Sequence, residues 1–421
     1  MVVKNGRVYT PNGLKDFDIW IKNGKIIALG GPHKADQKID AHGKLILPGV
    51  VDAHVHFRDP GPVHKEDWES GSTSAAAGGV TTVIDQPNTN PSTKDARSFD
   101  LKLDRAKNHS VIDFCINGGP GRIEEQVALG VTAIGEIFTY EYTDTKLKTL
   151  LNEVEKACAL PTIHAEDGQT IRENTNRLLG DHNPAAYSSA RPKLAEAAAV
   201  EKVLSWTSRA HICHVSTIQG LDLAKVFRET GKKVSCEVCP HHLLLNCSDY
   251  RKQGTFLKIN PPLRDSTDNQ ALWAGLRDGS IDIVASDHAP HLPEEKKMEI
   301  WEAPAGVPGV ETMLPLMLMA VRSNLISLER LIEAMAERPA QIFGLKSKGQ
   351  IAPGKDADLV LVDPKAVTRI NADRLHSRAE WTPYEGRVAI FPQATLVRGT
   401  VVFEDDLQVR PGYGRFQARL S

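Results

Sequence analysis

The sequence predicts an α/β fold, a (β/α)8 TIM barrel carrying a small β-sandwich domain built from both termini. Three observations lead there. Eight short β-rich segments recur through the middle of the chain with helix-like intervals between them, the alternation that builds a parallel sheet. Eight such units spread over about 300 residues match the length of one closed barrel. Both ends of the chain read instead as short strands broken by turn dipeptides, and neither end makes a sheet with a core of its own.

In order along the chain, the first fifty residues alternate strand-like runs with turns: Val2 and Val3, Asn5-Gly6, residues 7–9, Asn12-Gly13, 18–21, Asn23-Gly24 and 26–29. Asn-Gly tolerates the positive φ of a tight hairpin. The barrel strands are expected at 46–57, 80–85, 111–117, 131–137, 161–164, 211–215, 233–238 and 281–285. Residues 185–205, rich in Ala, Glu and Lys, carry helical periodicity. The apolar run 312–321 is about half the length that spans a bilayer and contains Pro315, so it reads as a buried helix. Strand-like runs return at 357–363, 394–397 and 400–403. The expected division is 1–50 and 346–421 for the two parts of the small β domain and 51–345 for the barrel. The alternative, an open doubly wound sheet, would want a G-x-G-x-x-G after an early strand, and none opens a helix here.

Composition narrows the partner. The chain has 421 residues, 41% hydrophobic and 25% charged, enough to bury a large core and unlike a disordered or collagen-like polypeptide. Lys and Arg total 51 against 53 Asp and Glu, so no net field draws nucleic acid or an anionic membrane, and a small-molecule substrate is expected. The N-terminus lacks the apolar stretch of a secretory signal, and six cysteines are too sparse for a disulfide scaffold; both suit a cytoplasmic enzyme. Cys236 and Cys239 form C-x-x-C, yet no fourth ligand follows at zinc-finger spacing and the pair lies in a strand-like run, so no structural zinc is expected there.

The chemistry collects just after the strands. All eight strand C-termini of such a barrel face one pole, so groups distant in sequence converge. His54 and His56 end the first strand, and in an extended strand they point the same way and can share one cation. With 15 His in the chain the H-x-H pair carries little weight alone. Its company raises it: His164 follows the fifth strand, His214 the sixth and Asp287 the eighth. Imidazoles and carboxylates gathered at one pole suit a borderline divalent cation, and these residues point to a metallohydrolase.

H-V-H-F-R-D-P-G from His54, Gln86-Pro-Asn88, Asn260-Pro-Pro-Leu-Arg264, S-D-H-A-P-H from Ser286, Ala305-Gly-Val-Pro-Gly and Gly349-Gln-Ile-Ala-Pro-Gly-Lys-Asp-Ala-Asp-Leu follow one another in the chain. In that order they resemble the dihydroorotases of the longer, type I kind, within the amidohydrolase superfamily, over nearly the full length. H-x-H and the last run are shared with allantoinases and dihydropyrimidinases; Arg58 discriminates. Dihydroorotate and carbamoyl-aspartate carry a carboxylate that a guanidinium fork binds, and allantoin and hydantoins have none.

The resemblance implies reversible cyclisation of N-carbamoyl-L-aspartate to L-dihydroorotate in de novo pyrimidine biosynthesis. It implies two Zn2+ per subunit, one on His54 and His56, a second on His164 and His214, with Asp287 binding the first and moving the proton between water and the leaving nitrogen. Arg58, Asn88 and His291 would hold the substrate carboxylate beside His56, while Asn260 and the backbone at Ala305 and Gly306 would contact the ring amides. A homodimer is the candidate assembly.

One departure stands out. Much of the superfamily bridges its metals with a carboxylated lysine after the fourth strand, but residues 131–140 contain no lysine. Glu136 is the candidate bridge, with Glu141 the alternative. His241 and His242 follow the seventh strand and are expected to pack or hydrogen-bond in the wall. The charged run 293–301 reads as a loop over the barrel mouth, a lid or a solvated loop. Two other functions remain open: another cyclic amidohydrolase (allantoinase, or dihydropyrimidinase or hydantoinase), and a non-catalytic barrel derived from one.

Overall fold

The computed structural model describes residues 1–10 and 12–419. Parallel strands Val50–Val55, Val80–Asp85 and Asp113–Ile116 form one ladder, and Ile134–Phe138, Pro161–His164, Arg209–Ile212, Lys233–Val238 and Ile283–Val284 form another. Parallel bridges between Gly118 and Ile134 and between Val55 and His288 join the two ladders, so the eight strands close on themselves. Helices lie between successive strands, and the barrel interior is sealed by buried Val51, Ala53, Ile84, Cys115, Ala133 and Ile283. The helices are started by side chains that satisfy their first free N–H groups: Asp67 accepts from Ser70 N ahead of Trp68–Ala77, and Asp95 accepts from Ser98 N ahead of Ala96–His109.

The expected first strand, 46–57, is two strands. Leu45–Pro48 pairs with Leu359–Val362 in the small domain, and Val50–Val55 pairs with Val80–Asp85 in the barrel. The break falls at Gly49, where a Cβ would stand 2.1 Å from Thr81 Oγ1. Only glycine lets the chain cross so close to its neighbour, and periodicity cannot reveal that one apolar run serves two sheets. The expected helix over 312–321 is present as Val310–Arg322.

Strands from both ends share a seven-stranded sheet in the spatial order Asp406–Leu407, Thr400–Glu404, Ala394–Val397, Leu359–Val362, Leu45–Pro48, Arg7–Thr10, Gly13–Asp16. A second sheet holds Lys25–Leu29, Ile19–Lys22, Val2–Lys4 and Lys38–Asp40. Val3, Val8, Ile19, Ile26, Ile46, Leu359 and Leu396 form a common core. Two C-terminal segments return to the barrel: the pair Val367–Arg369 and Val388–Ile390 packs on Val310–Arg322, and Phe416 lies against Phe99 and Phe114. Buried Lys348 ties the sandwich to the barrel by pairing with Asp113 of the third barrel strand and, at 2.7 and 3.1 Å, with Asp358 and Asp356. Among the described residues no helix is long and apolar enough to cross a membrane. All six cysteines are unpaired.

Candidate active site

Five strand ends bring a compact cluster to one pole. His54 belongs to the first strand and His56 follows it; Glu136 lies in the fourth, His164 ends the fifth, and His214 and Asp287 follow the sixth and eighth. All six are buried. Glu136 stands at the centre. Its Oε1 lies 2.8 Å from His164 Nδ1 and 2.7 Å from His214 Nε2, while its Oε2 lies 3.4 Å from His54 Nε2 and 3.8 Å from His56 Nε2. One carboxylate oxygen therefore faces each histidine pair. Asp287 Oδ1 closes the first pair, 3.2 Å from His56 Nε2 and 3.7 Å from His54 Nε2. Glu141, by contrast, is exposed in the short turn Thr139–Glu141.

These donors fit divalent cations. Buried His54 Nε2 has no hydrogen-bond partner, although it faces two carboxylates, and His54, His56 and Asp287 place ligand atoms within 4.8 Å of one another, as do His54, Glu136 and His214. Burial alone would lower the His54 pKa, yet Glu237 and Glu136 raise it well above the ordinary value. A buried cluster acidic enough to force a proton onto an imidazole is one that a metal cation neutralises instead.

The imidazoles are braced from behind. Glu237 Oε1 sits 2.6 Å from His54 Nδ1, and Asn88 Oδ1 sits 2.7 Å from His56 Nδ1. Each acceptor holds a proton on Nδ1 and leaves Nε2 a free lone pair aimed at the cluster. Glu166 Oε2 contacts His164 Nε2 at 2.7 Å and is itself held by Arg191 Nε at 3.0 and 3.1 Å. Glu237, Glu166 and Arg191 escaped the sequence analysis. Glu237 had one available signal, an acid set among apolar residues of a barrel strand.

The rim carries positive charge. Arg58, half-buried at φ 63°, makes no ion pair among the described residues, and its Nε has no partner; its Nη2 stands 3.4 Å from His291 Nε2. Lys65 Nζ donates to His291 Nδ1 at 3.1 Å, and His291 Nε2 donates to the Ala305 carbonyl at 3.0 Å. Burial first, then the charges of Arg58 and Lys65, pull the His291 pKa down to about 2, so the ring is neutral. Tyr187 Oη donates to Asn260 Oδ1 at 2.7 Å. That bond commits the Asn260 oxygen and leaves its NH2 free. Both backbone groups of Gly306 are engaged: its N–H donates to the Lys258 carbonyl at 2.9 Å and its carbonyl accepts from Lys296 Nζ at 3.0 Å, so only the second lone pair of that carbonyl is left for a ligand.

His242 Nε2 donates to the Pro261 carbonyl at 3.0 Å, as expected of a wall residue, whereas buried His241 has no partner on either nitrogen. Both lie within ligand distance of Cys239; Cys236 joins no such group among the described residues. The 293–301 run is not simply a solvated loop: Lys296 and Ile300 are buried, and Trp301 Nε1 donates to the Asp181 carbonyl at 3.0 Å.

The family model of the amidohydrolases matches residues 45–391, which include every residue of this cluster. The chain belongs to the amidohydrolase family. Among its relatives, the dihydroorotase of Methanosarcina acetivorans is 47% identical over 98% of this chain and 94% of its own length, and that of Halobacterium salinarum is 45% identical over 92% and 94%. The L-hydantoinase of Paenarthrobacter aurescens is 33% identical over 100% and 98%. Among solved structures, the L-hydantoinase (dihydropyrimidinase) from Arthrobacter aurescens superposes with a TM-score of 0.95 at 33% identity, covering 99% of both chains. An amidohydrolase fold is thus shared with enzymes named for different rings, and the rim of the pocket has to distinguish them.

Proposed function

We propose that this amidohydrolase is a dihydroorotase, catalysing the reversible cyclisation of N-carbamoyl-L-aspartate to L-dihydroorotate. The observation that carries the reading is Arg58, a guanidinium without a carboxylate partner at the rim of the histidine–carboxylate cluster. Leaving such a group unpaired is costly unless a ligand supplies the anion. Dihydroorotate supplies it; hydantoin, allantoin and dihydrouracil do not. Identity of 40–47% to several archaeal dihydroorotases over nearly the whole chain supports the same substrate.

Zn2+ is the cation that His-rich ligation favours. His54, His56 and Asp287 would hold one ion and His164 and His214 a second, with Glu136 between them. Bound there, the ions would lower the pKa of water toward neutrality and polarise the scissile carbonyl. Arg58 and Asn88 anchor the substrate carboxylate, and neutral His291 shapes its seat. Asn260 NH2 and the Ala305–Gly306 backbone orient the ring amide. Asp287 takes the proton from the attacking water and delivers it to the ring nitrogen as the C–N bond breaks; in the biosynthetic direction it returns that proton. Against the cost of burial, the His56 contact and the surrounding histidines hold the Asp287 carboxyl below the usual range, so it is ionised. Six unpaired cysteines support the cytoplasmic placement.

The test is a comparison of rings. Purified metal-loaded protein should open dihydroorotate and close carbamoyl-aspartate, with hydantoin, allantoin and dihydrouracil turned over at least a hundredfold less efficiently. Preference for an uncharged ring would replace this reading with that of a hydantoinase or allantoinase.

A further inference from the structure

Lys296 ends the short helix Pro293–Lys296 and is completely buried. Its Nζ reaches three backbone carbonyls, those of Lys258 and Pro304 at 2.9 Å and Gly306 at 3.0 Å. Burial, then the nearby Lys258 charge, lowers its pKa well below the usual lysine range, and the three carbonyls satisfy its N–H groups in either protonation state. Among the described residues no carboxylate forms an ion pair with it. A methionine would fill the same space without burying a polar nitrogen, so the cage calls for a reason beyond packing.

The three carbonyls belong to the two segments that flank the ring subsite. The Lys258 carbonyl also accepts from Gly306 N–H at 2.9 Å, which makes it the point where both segments meet. From the same residue, Lys258 Nζ donates to the carbonyls of Ile300 and Trp301 at 2.6 and 3.2 Å and stands 4.6 Å from the Tyr187 ring, whose hydroxyl orients Asn260. Gly306 packs so closely on the neighbouring turn that a Cβ there would stand 2.4 Å from Ala289 O, so no side chain fits. Lys296 therefore joins, through one nitrogen, the loop segment carrying Asn260 and the turn carrying Ala305 and Gly306.

We propose that Lys296 is a positioning residue for the ring of the substrate, a carbonyl-caged amino group that fixes the 304–306 backbone against the 258–260 segment. The proposal rests on the dihydroorotase reading and deepens it: Arg58 selects the carboxylate, and Lys296 sets the surface that meets the ring amides.

The test uses the metal-loaded enzyme and two probes, dihydroorotate and succinate, which has carboxylates but no ring amide. Lys296→Met should raise the KM for dihydroorotate about tenfold or more, with metal content retained and succinate inhibition within about twofold of the parent. A dihydroorotate KM within about twofold of the parent overturns the proposal, as does an equal weakening of both probes, which would mark a general disturbance of the fold. Should Lys296→Met not fold, Pro304→Gly loosens the same turn without touching the buried Lys296 side chain. It should show the same split between probes, and its absence overturns the proposal. A parent enzyme inactive on dihydroorotate but active on an uncharged ring overturns the dihydroorotase reading itself, an outcome distinct from an active parent matched by an unchanged Lys296→Met.

Discussion

Replacing Arg58 with alanine separates substrate recognition from metal binding. The side chain contacts none of the six clustered ligand residues by hydrogen bond; among the described residues its hydrogen-bond contact is with His291 at 3.4 Å, and its Nε is unpartnered. Truncation therefore removes no support from the metal ligands, and alanine bears the same left-handed backbone at φ 63° that arginine does. What is lost is a fork of hydrogen bonds to the substrate carboxylate. Hydrogen bonds to charged groups are worth about 1.5–3 kcal/mol, which corresponds to roughly tenfold to more than a hundredfold in binding. Initial rates for dihydroorotate opening and carbamoyl-aspartate closure, beside dihydrouracil and with metal content measured by plasma mass spectrometry, give the answer. The expected variant keeps its metals, loses at least tenfold in kcat/KM for both charged substrates and changes little on dihydrouracil. Unchanged kcat/KM for dihydroorotate would refute the assignment of Arg58, and loss of metal would show that Arg58 supports the cluster after all.

Asp287→Asn should lower kcat by about 10²- to 10⁴-fold while substrate still binds, because an amide cannot accept the proton; more than half the parent rate would exclude that role. Glu136→Gln should lose at least one metal, whereas exposed Glu141→Gln should keep full metal content and lose under about 0.5 kcal/mol of stability; metal analysis of the two variants compares them directly. Because Glu136 needs no carbamate, activity should be insensitive to bicarbonate depletion, and recovery of a depleted sample by bicarbonate would contradict this. Lys348→Met should cost about 3 kcal/mol at neutral pH, since among the described residues it removes the only cation paired with buried Asp358 and leaves Asp113 and Asp356 with Arg398 and Lys25 alone. Its pairing with Lys348 holds Asp356 below the ordinary carboxyl range despite desolvation, so this contribution to stability is present at neutral pH and fades as pH falls through the lowered value. Denaturant titrations at neutral and acidic pH should therefore show a gap between variant and parent that narrows on acidification.

The fold and the metal-capable residues were legible because both are written in short-range pattern. Strand ends announce themselves by apolar runs that stop, and a barrel sends every such end to one pole, so His54, His56, His164, His214 and Asp287 converge without any knowledge of pairing. Glu136 was legible through the missing lysine, and the structure places it against four histidines while Glu141 stays outside. Features that depend on long-range contact were hidden. The split at Gly49 depends on Thr81, thirty-two residues away. Glu237 braces His54 across 183 residues. Lys296 sat in a run of charges that reads as a solvated loop, since side-chain chemistry alone does not announce that three backbone carbonyls will surround one amino group.

Reconstitution tests the central claim most directly. Protein stripped by a chelator and dialysed should be inactive on L-dihydroorotate, and Zn2+ added back should restore ring opening up to two equivalents per chain, with hydantoin left essentially unchanged at the same occupancy. Full activity in the stripped protein, or a reconstituted protein that opens hydantoin while leaving dihydroorotate intact, would contradict the account.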